Sequence, residues 1–89
     1  VLEALDHLAD VWSRLGRWED AVEVLLTRAE DFPTDYRSPL AYVRAASIQE
    51  EQLHDPKSAV ATLEKLTARY PELPLSRRAQ EKIQLLQGS

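Results

Sequence analysis

His7 stands between Asp6 and Asp10, and the His7/Asp10 pair lies one helical turn apart. That spacing would put two metal ligands on one helix face. A metal site needs three or four ligands, and nothing in the sequence fixes a third beside these. His7 therefore reads as a surface histidine, and no metal is expected. His54 precedes Asp55-Pro56 and reads as a solvated turn residue. Glu50 and Glu51 are adjacent, so they point in different directions around a helix and serve poorly as an acid–base pair. No serine has a histidine and a carboxylate at a recognisable motif spacing. Gly16 and Gly88 are the only glycines, too few for a loop that cradles phosphate. Trp12 and Trp18 could stack a ligand, but their place in the pattern described below assigns them to packing. Neither catalysis nor a cofactor is expected.

Composition narrows the remaining classes. The chain has 89 residues, 44% hydrophobic and 29% charged, with a formal net charge of -4. Those proportions fit a globular chain and argue against disorder. The length allows one domain with a thin core. There are no cysteines, which excludes a disulfide scaffold and a thiolate zinc site. No basic stripe of the kind a nucleic-acid binder needs is present. Arg77-Arg78 with Lys82 is short, is interrupted by Glu81, and reads as a solvated helix face. No apolar run approaches the length of a membrane span. The chain starts at Val1 and contains no methionine, so it is expected to be a piece of a longer product.

Five prolines and Gly16 divide the chain into helical stretches, with no alternation at period two. The first helix is expected from about Leu2 to Leu15, with Leu5, Leu8, Trp12 and Leu15 as one apolar stripe. Gly16 is its left-handed stop. The second is expected from about Trp18 to Asp31. Glu19, Asp20 and Glu23 lie in its first turns, and Ala21, Val22, Leu25, Ala29 and Phe32 make its inner face. Ser38-Pro39 reads as a cap followed by proline at the first helical position and opens a third helix to about Leu53. Its inner face is small: Ala45, Ala46 and Ile48. Tyr42 fits either a buried or a displayed position. Asp55-Pro56 repeats the cap signal and opens a fourth helix with Ala59, Val60, Leu63 and Leu66. A fifth follows from about Leu75 to Gln87, with Leu75, Ala79, Ile83 and Leu86 along one side.

The chain repeats itself. Asp31-Phe32-Pro33 recurs as Arg69-Tyr70-Pro71, Ala21-Val22 as Ala59-Val60, and Leu25 as Leu63. Leu8-Ala9-Asp10-Val11 recurs as Ala45-Ala46-Ser47-Ile48, and the one-residue slip falls near Leu53-His54. Leu5, Leu8, Ala9, Trp12, Ala21, Leu25 and Pro33, with the turn Leu15-Gly16-Arg17-Trp18, resemble the tetratricopeptide repeat. The second copy keeps Ala45, Ala46, Ala59, Leu63 and Pro71. It departs at Gln49, where the family prefers Tyr, and at Pro56, where it prefers an aromatic. The extended linker Thr34 to Ser38 lengthens the period.

The resemblance implies an all-α fold of antiparallel helix hairpins stacked as a short right-handed α-solenoid. Residues 1–33 would be the first repeat, 38–71 the second, and 75–87 a capping helix or half repeat, all in one domain. The joint from Arg69 to Leu75, followed by Ala79, is also similar to joints in bacterial envelope repeat proteins. Cytosolic bacterial repeat proteins share that joint, so the compartment stays open between the cytoplasm and the bacterial periplasm or cell envelope.

In that family the first helix of each hairpin lines the concave side. Carried over, the partner-facing residues are Asp6, Asp10, Ser13 and Arg14 from the first copy. From the second they are Val43, Ser47, Glu50 and Glu51. This face is more acidic than basic, so a protein or peptide carrying Lys or Arg is the expected guest. The family's Lys, Arg and Asn clamp for terminal carboxylates is missing. The expected function is a non-catalytic scaffold for protein–protein contact. Alternatives are a structural spacer that pairs with its own copies, or an accessory domain of a larger protein.

Overall fold

The computed structural model describes residues 2–88 and is all α-helix with connecting turns. Five helices follow one another: α1 (Leu2–Arg14), α2 (Trp18–Asp31), α3 (Ser38–Glu51), α4 (Pro56–Arg69) and α5 (Pro74–Gly88). Each packs chiefly on its neighbours in sequence, so the hairpins stack in order. The Cα trace measures 35 × 29 × 14 Å, a slab too thin to enclose most of its helices.

Local sequence explains each end. Gly16 sits at φ +71 with open space where a Cβ would be, so backbone conformation alone selects glycine there. The Arg17 amide donates to the Trp12 carbonyl at 2.9 Å and the Gly16 amide to Ser13 at 3.1 Å, closing α1 in a Schellman turn. In the second hairpin the extra residue changes this turn. His54 takes the left-handed conformation at φ 51, and the Asp55 amide reaches the Gln49 carbonyl at 2.8 Å. The Asp55 carboxylate then accepts from the Ser58 amide at 3.1 Å and caps α4, with Pro56 at its first position.

The second cap differs from expectation. α3 starts on Ser38 itself, and Arg37 occupies the cap position without a side-chain bond. Ser38 is fully buried. Its hydroxyl donates to the carbonyl of Phe32, tying the start of α3 to the end of α2. Ser76 does the same to the carbonyl of Tyr70. The backbone agrees at both joints. The Asp35 amide donates to Phe32 and the Leu73 amide to Tyr70, each at 3.2 Å. The Ser38 amide donates to Asp35 and the Ser76 amide to Leu73, each at 3.0 Å. The repeat therefore extends past Pro33 and Pro71 through the linkers, at a period of 38.

Burial follows position in the stack. In α3, which has neighbours on both sides, eight of fourteen residues are buried. They include Ala41, Tyr42, Ala45, Ala46 and Ile48, so Tyr42 is a core residue. The expected faces of α2 and α4 are buried as well, except Phe32, which lies just past α2 and is half-buried. In α1 only Ala9 is buried. Leu5 and Trp12 of the expected stripe are half-buried, whereas Leu8 and Leu15 are 38% and 65% exposed. The cause is geometric: among the described residues α1 packs chiefly on α2, along one side only. Trp12 and Trp18 pack against the core from its edge, and the Arg17 guanidinium lies 5.2 Å from the Trp12 ring centroid.

Candidate functional site

The helices α1, α3 and α5 share one side of the slab, and the carried-over residues fall there. The structure brings five of them, Asp6, Asp10, Val43, Ser47 and Glu50, into two neighbouring depressions. The first, of 310 Å³, lies between α1 and α3 over Leu25, with Asp6, Asp10, Arg37, Leu40 and Arg44 around it. The second, of 280 Å³, lies between α3 and α5 over Leu63, the repeat counterpart of Leu25. Val43, Ala46, Ser47 and Glu50 form one wall. Leu75, Arg78, Ala79, Lys82 and Leu86 form the other. Val43, Ser47 and Glu50 thus stand together, whereas Arg14 and Glu51 are exposed away from both depressions.

The acidic character expected of this face is largely cancelled within the chain. Asp10 pairs with Arg44 at 2.9 Å and Glu50 with Lys82 at 2.9 Å. Arg44 and Lys82 occupy the same register on α3 and α5. Successive first helices are therefore linked acid to base across the face. The Ser13 hydroxyl donates to the Ala9 carbonyl of its own helix at 2.8 Å and accepts from Arg44 across the face at 3.4 Å. Sequence reasoning placed the carboxylates but missed their partners, because each cation comes from the next hairpin. The recurrence of Arg44 as Lys82 was the available signal.

Asp6 belongs to a different assembly. Arg28 is 1% exposed, the largest of the fully buried side chains. Its Nε donates to Asp6 at 2.8 Å, one terminal nitrogen to the Ser38 hydroxyl at 2.6 Å, and the other to Asp35 at 2.8 Å. Burial by itself would lower the Arg28 pKa, but the bonds to Asp35 and Asp6 outweigh it and raise it. The network joins α1, α2, the linker and α3. At the corresponding places the second copy has Val43, Leu66, Leu73 and Ser76. One joint is sealed by ions and the other carries aliphatic side chains. A charged residue in register with a core leucine was the sequence sign of this network.

Two carboxylates carry a pH consequence. Arg28 and then the Arg37 amide hold Asp35 below the usual carboxylate range, and the Ser58 hydroxyl and amide do the same for Asp55. A depressed folded-state pKa stabilises the fold above the unfolded value, about pH 4. That contribution is lost as pH falls through the depressed values. Melting temperature should therefore drop steeply on acidification below about pH 4, and Asp35→Asn should flatten that limb. An Asp35→Asn chain with an unchanged acid limb would remove Asp35 from the account.

The tetratricopeptide repeat family model matches residues 40–72, which span most of α3, all of α4 and the start of the following turn. No curated protein and no solved structure matches the chain. The matched segment is the second copy, although the glycine turn that carries the resemblance in the sequence lies in the first. Its departure at Gln49 is accommodated by a polar pair: the buried Thr62 hydroxyl donates to the Gln49 side-chain carbonyl at 2.6 Å. The match supports the tetratricopeptide repeat family and agrees with the helical-repeat fold.

Proposed function

We propose that the chain is a non-catalytic protein-interaction module that seats a partner segment in the groove between α3 and α5. Repeats of the matched family generally hold proteins or peptides, and no helix among the described residues is long and apolar enough to cross a membrane. The observation that carries the site is the groove itself. Its lining is largely apolar, from Leu63 beneath and Leu75, Ala79 and Leu86 on the α5 wall, while Ser47, Glu50, Arg78 and Lys82 supply polar groups. Apolar floors with a few polar groups at the margin are how binding surfaces combine affinity with orientation. Because Asp10 and Glu50 already pair with Arg44 and Lys82, a basic guest is not selected by charge. Apolar side chains of the partner supply the contact.

Ser47 is exposed on the groove wall, so a larger side chain fits there without disturbing the core. Peptides selected from a displayed library on this chain should lose affinity for Ser47→Trp by about tenfold or more, the effect of blocking one hot-spot pocket. The helical circular dichroism should be unchanged. Retained affinity would place the partner elsewhere.

Pairing of copies is a second reading, favoured by α1. Ala4, Leu8 and Val11 stand in register with Ala41, Ala45 and Ile48, which are buried in α3, yet Ala4 and Leu8 are exposed. Sedimentation equilibrium should then show a concentration-dependent dimer that Leu8→Gln abolishes. A monomer at all concentrations contradicts this reading.

A further inference from the structure

We propose that the depression bordered by Glu30, Tyr42, Lys65, Ala68 and Arg69 binds an oxyanion, the carboxylate or phosphate group of a ligand. It lies where the last turns of α2 and α4 flank α3, apart from the groove described above, and has a volume of 390 Å³.

Tyr42 carries the inference. The residue is 1% exposed, and it lines the depression. Its hydroxyl makes no hydrogen bond within the described residues, although it is not sealed from solvent. The hydroxyls of Ser38, Thr62 and Ser76, which are also buried, all have protein partners. A hydroxyl on a buried ring, left open toward a depression, offers a fixed donor to a ligand.

The charges around it set the ligand class. Lys65 and Arg69 bring two positive groups against the single carboxylate of Glu30. Lys65 reaches Glu30 only at 3.5 Å, and both are about half exposed, which makes a weak pair that an arriving anion can displace. Arg69 has no carboxylate within ion-pair distance among the described residues, and its guanidinium is suited to a forked oxyanion. Burial raises the Tyr42 pKa, while Arg69 acts to lower it and Glu30 to raise it, so both charges act on the hydroxyl. The carbonyl ends of α2 and α4 oppose an anion, which holds the affinity to that of an anchoring group.

The test uses the 89-residue chain and two probes, inorganic phosphate and acetate, titrated at constant ionic strength against sodium chloride as control. Amide chemical shifts are followed. At least one probe should give saturating shifts at Tyr42, Lys65 and Arg69, with a dissociation constant on the order of 1 mM. Saturation by phosphate alone identifies a phosphate group, and saturation by acetate admits a carboxylate. Tyr42→Phe should weaken binding by about fivefold or more, the worth of one hydrogen bond to an ion. Because no internal bond is lost, it should leave the melting temperature unchanged. Arg69→Gln should abolish saturation. Linear shifts that match the chloride control, or undiminished saturation in either variant, would overturn the proposal.

Discussion

Replacing Arg28 with alanine will destabilise the chain by about 3 kcal/mol, the lower end of the cost of breaking a buried ion pair. The lower end applies because Asp6 and Asp35 are 34% and 20% exposed and water can still reach them. The change takes the closest charged donor from both carboxylates and the guanidinium donor from the Ser38 hydroxyl, leaving Asp35 the Arg37 amide at 2.9 Å and the carboxylates only the looser Arg37 guanidinium at 3.5 and 3.6 Å. For a chain of this length the melting temperature should fall by roughly 12 °C or more. The two copies of the repeat supply the control. Leu66 and Leu73 stand in the second copy where Arg28 and Asp35 stand in the first. Arg28→Leu alone should remain strongly destabilised, because Asp35 loses its closest charged partner and keeps only its Arg37 contacts. Adding Asp35→Leu and Asp6→Val should restore most of the loss, since the triple change copies the aliphatic joint. Equal melting temperatures for the single and triple variants would show that the network is not a coupled unit.

Overpacking the first hairpin is the second large effect. Ala21 is fully buried on α2, where α1 crosses closely. Its counterpart in the second hairpin, Ala59, is 1% exposed. A side chain larger than methyl must push the helices apart. Ala21→Trp should cost about 3 kcal/mol, at the upper end for inserting atoms into a packed interior. Chemical denaturation reads this directly as a lower midpoint. An unchanged midpoint would remove Ala21 from the interface.

The helices were legible from the sequence because their signals are local. Gly16, Pro33, Asp55-Pro56 and Pro71 set boundaries through backbone conformation and missing donors, which do not depend on what packs nearby. The small inner face of α3 at Ala45 and Ala46 was legible from residue size and spacing alone. Ser38 was misplaced because a cap and a buried tether look alike in sequence. Only the approach of Arg28 and the Phe32 carbonyl separates them. Leu8 and Leu15 were assigned to the core by periodicity, which reports that a face is apolar and not that another helix covers it. The candidate site was half legible. Val43, Ser47 and Glu50 read as sharing one helix face, and they line one wall of the groove. The facing wall, with Arg78, Lys82 and Leu86, comes from α5. Lys82 and Arg78 had read as part of a solvated cluster, because the stacking distance between hairpins is invisible in sequence.

A partner segment seated between α3 and α5 would touch both walls of the groove. Backbone amide chemical shifts of the labelled chain, recorded with a peptide selected for binding, test it most directly. Perturbations should concentrate at Val43, Ser47, Glu50, Ala79 and Lys82, with α2 undisturbed. Perturbations centred on the outer faces of α2 and α4, with those five residues unmoved, would contradict it.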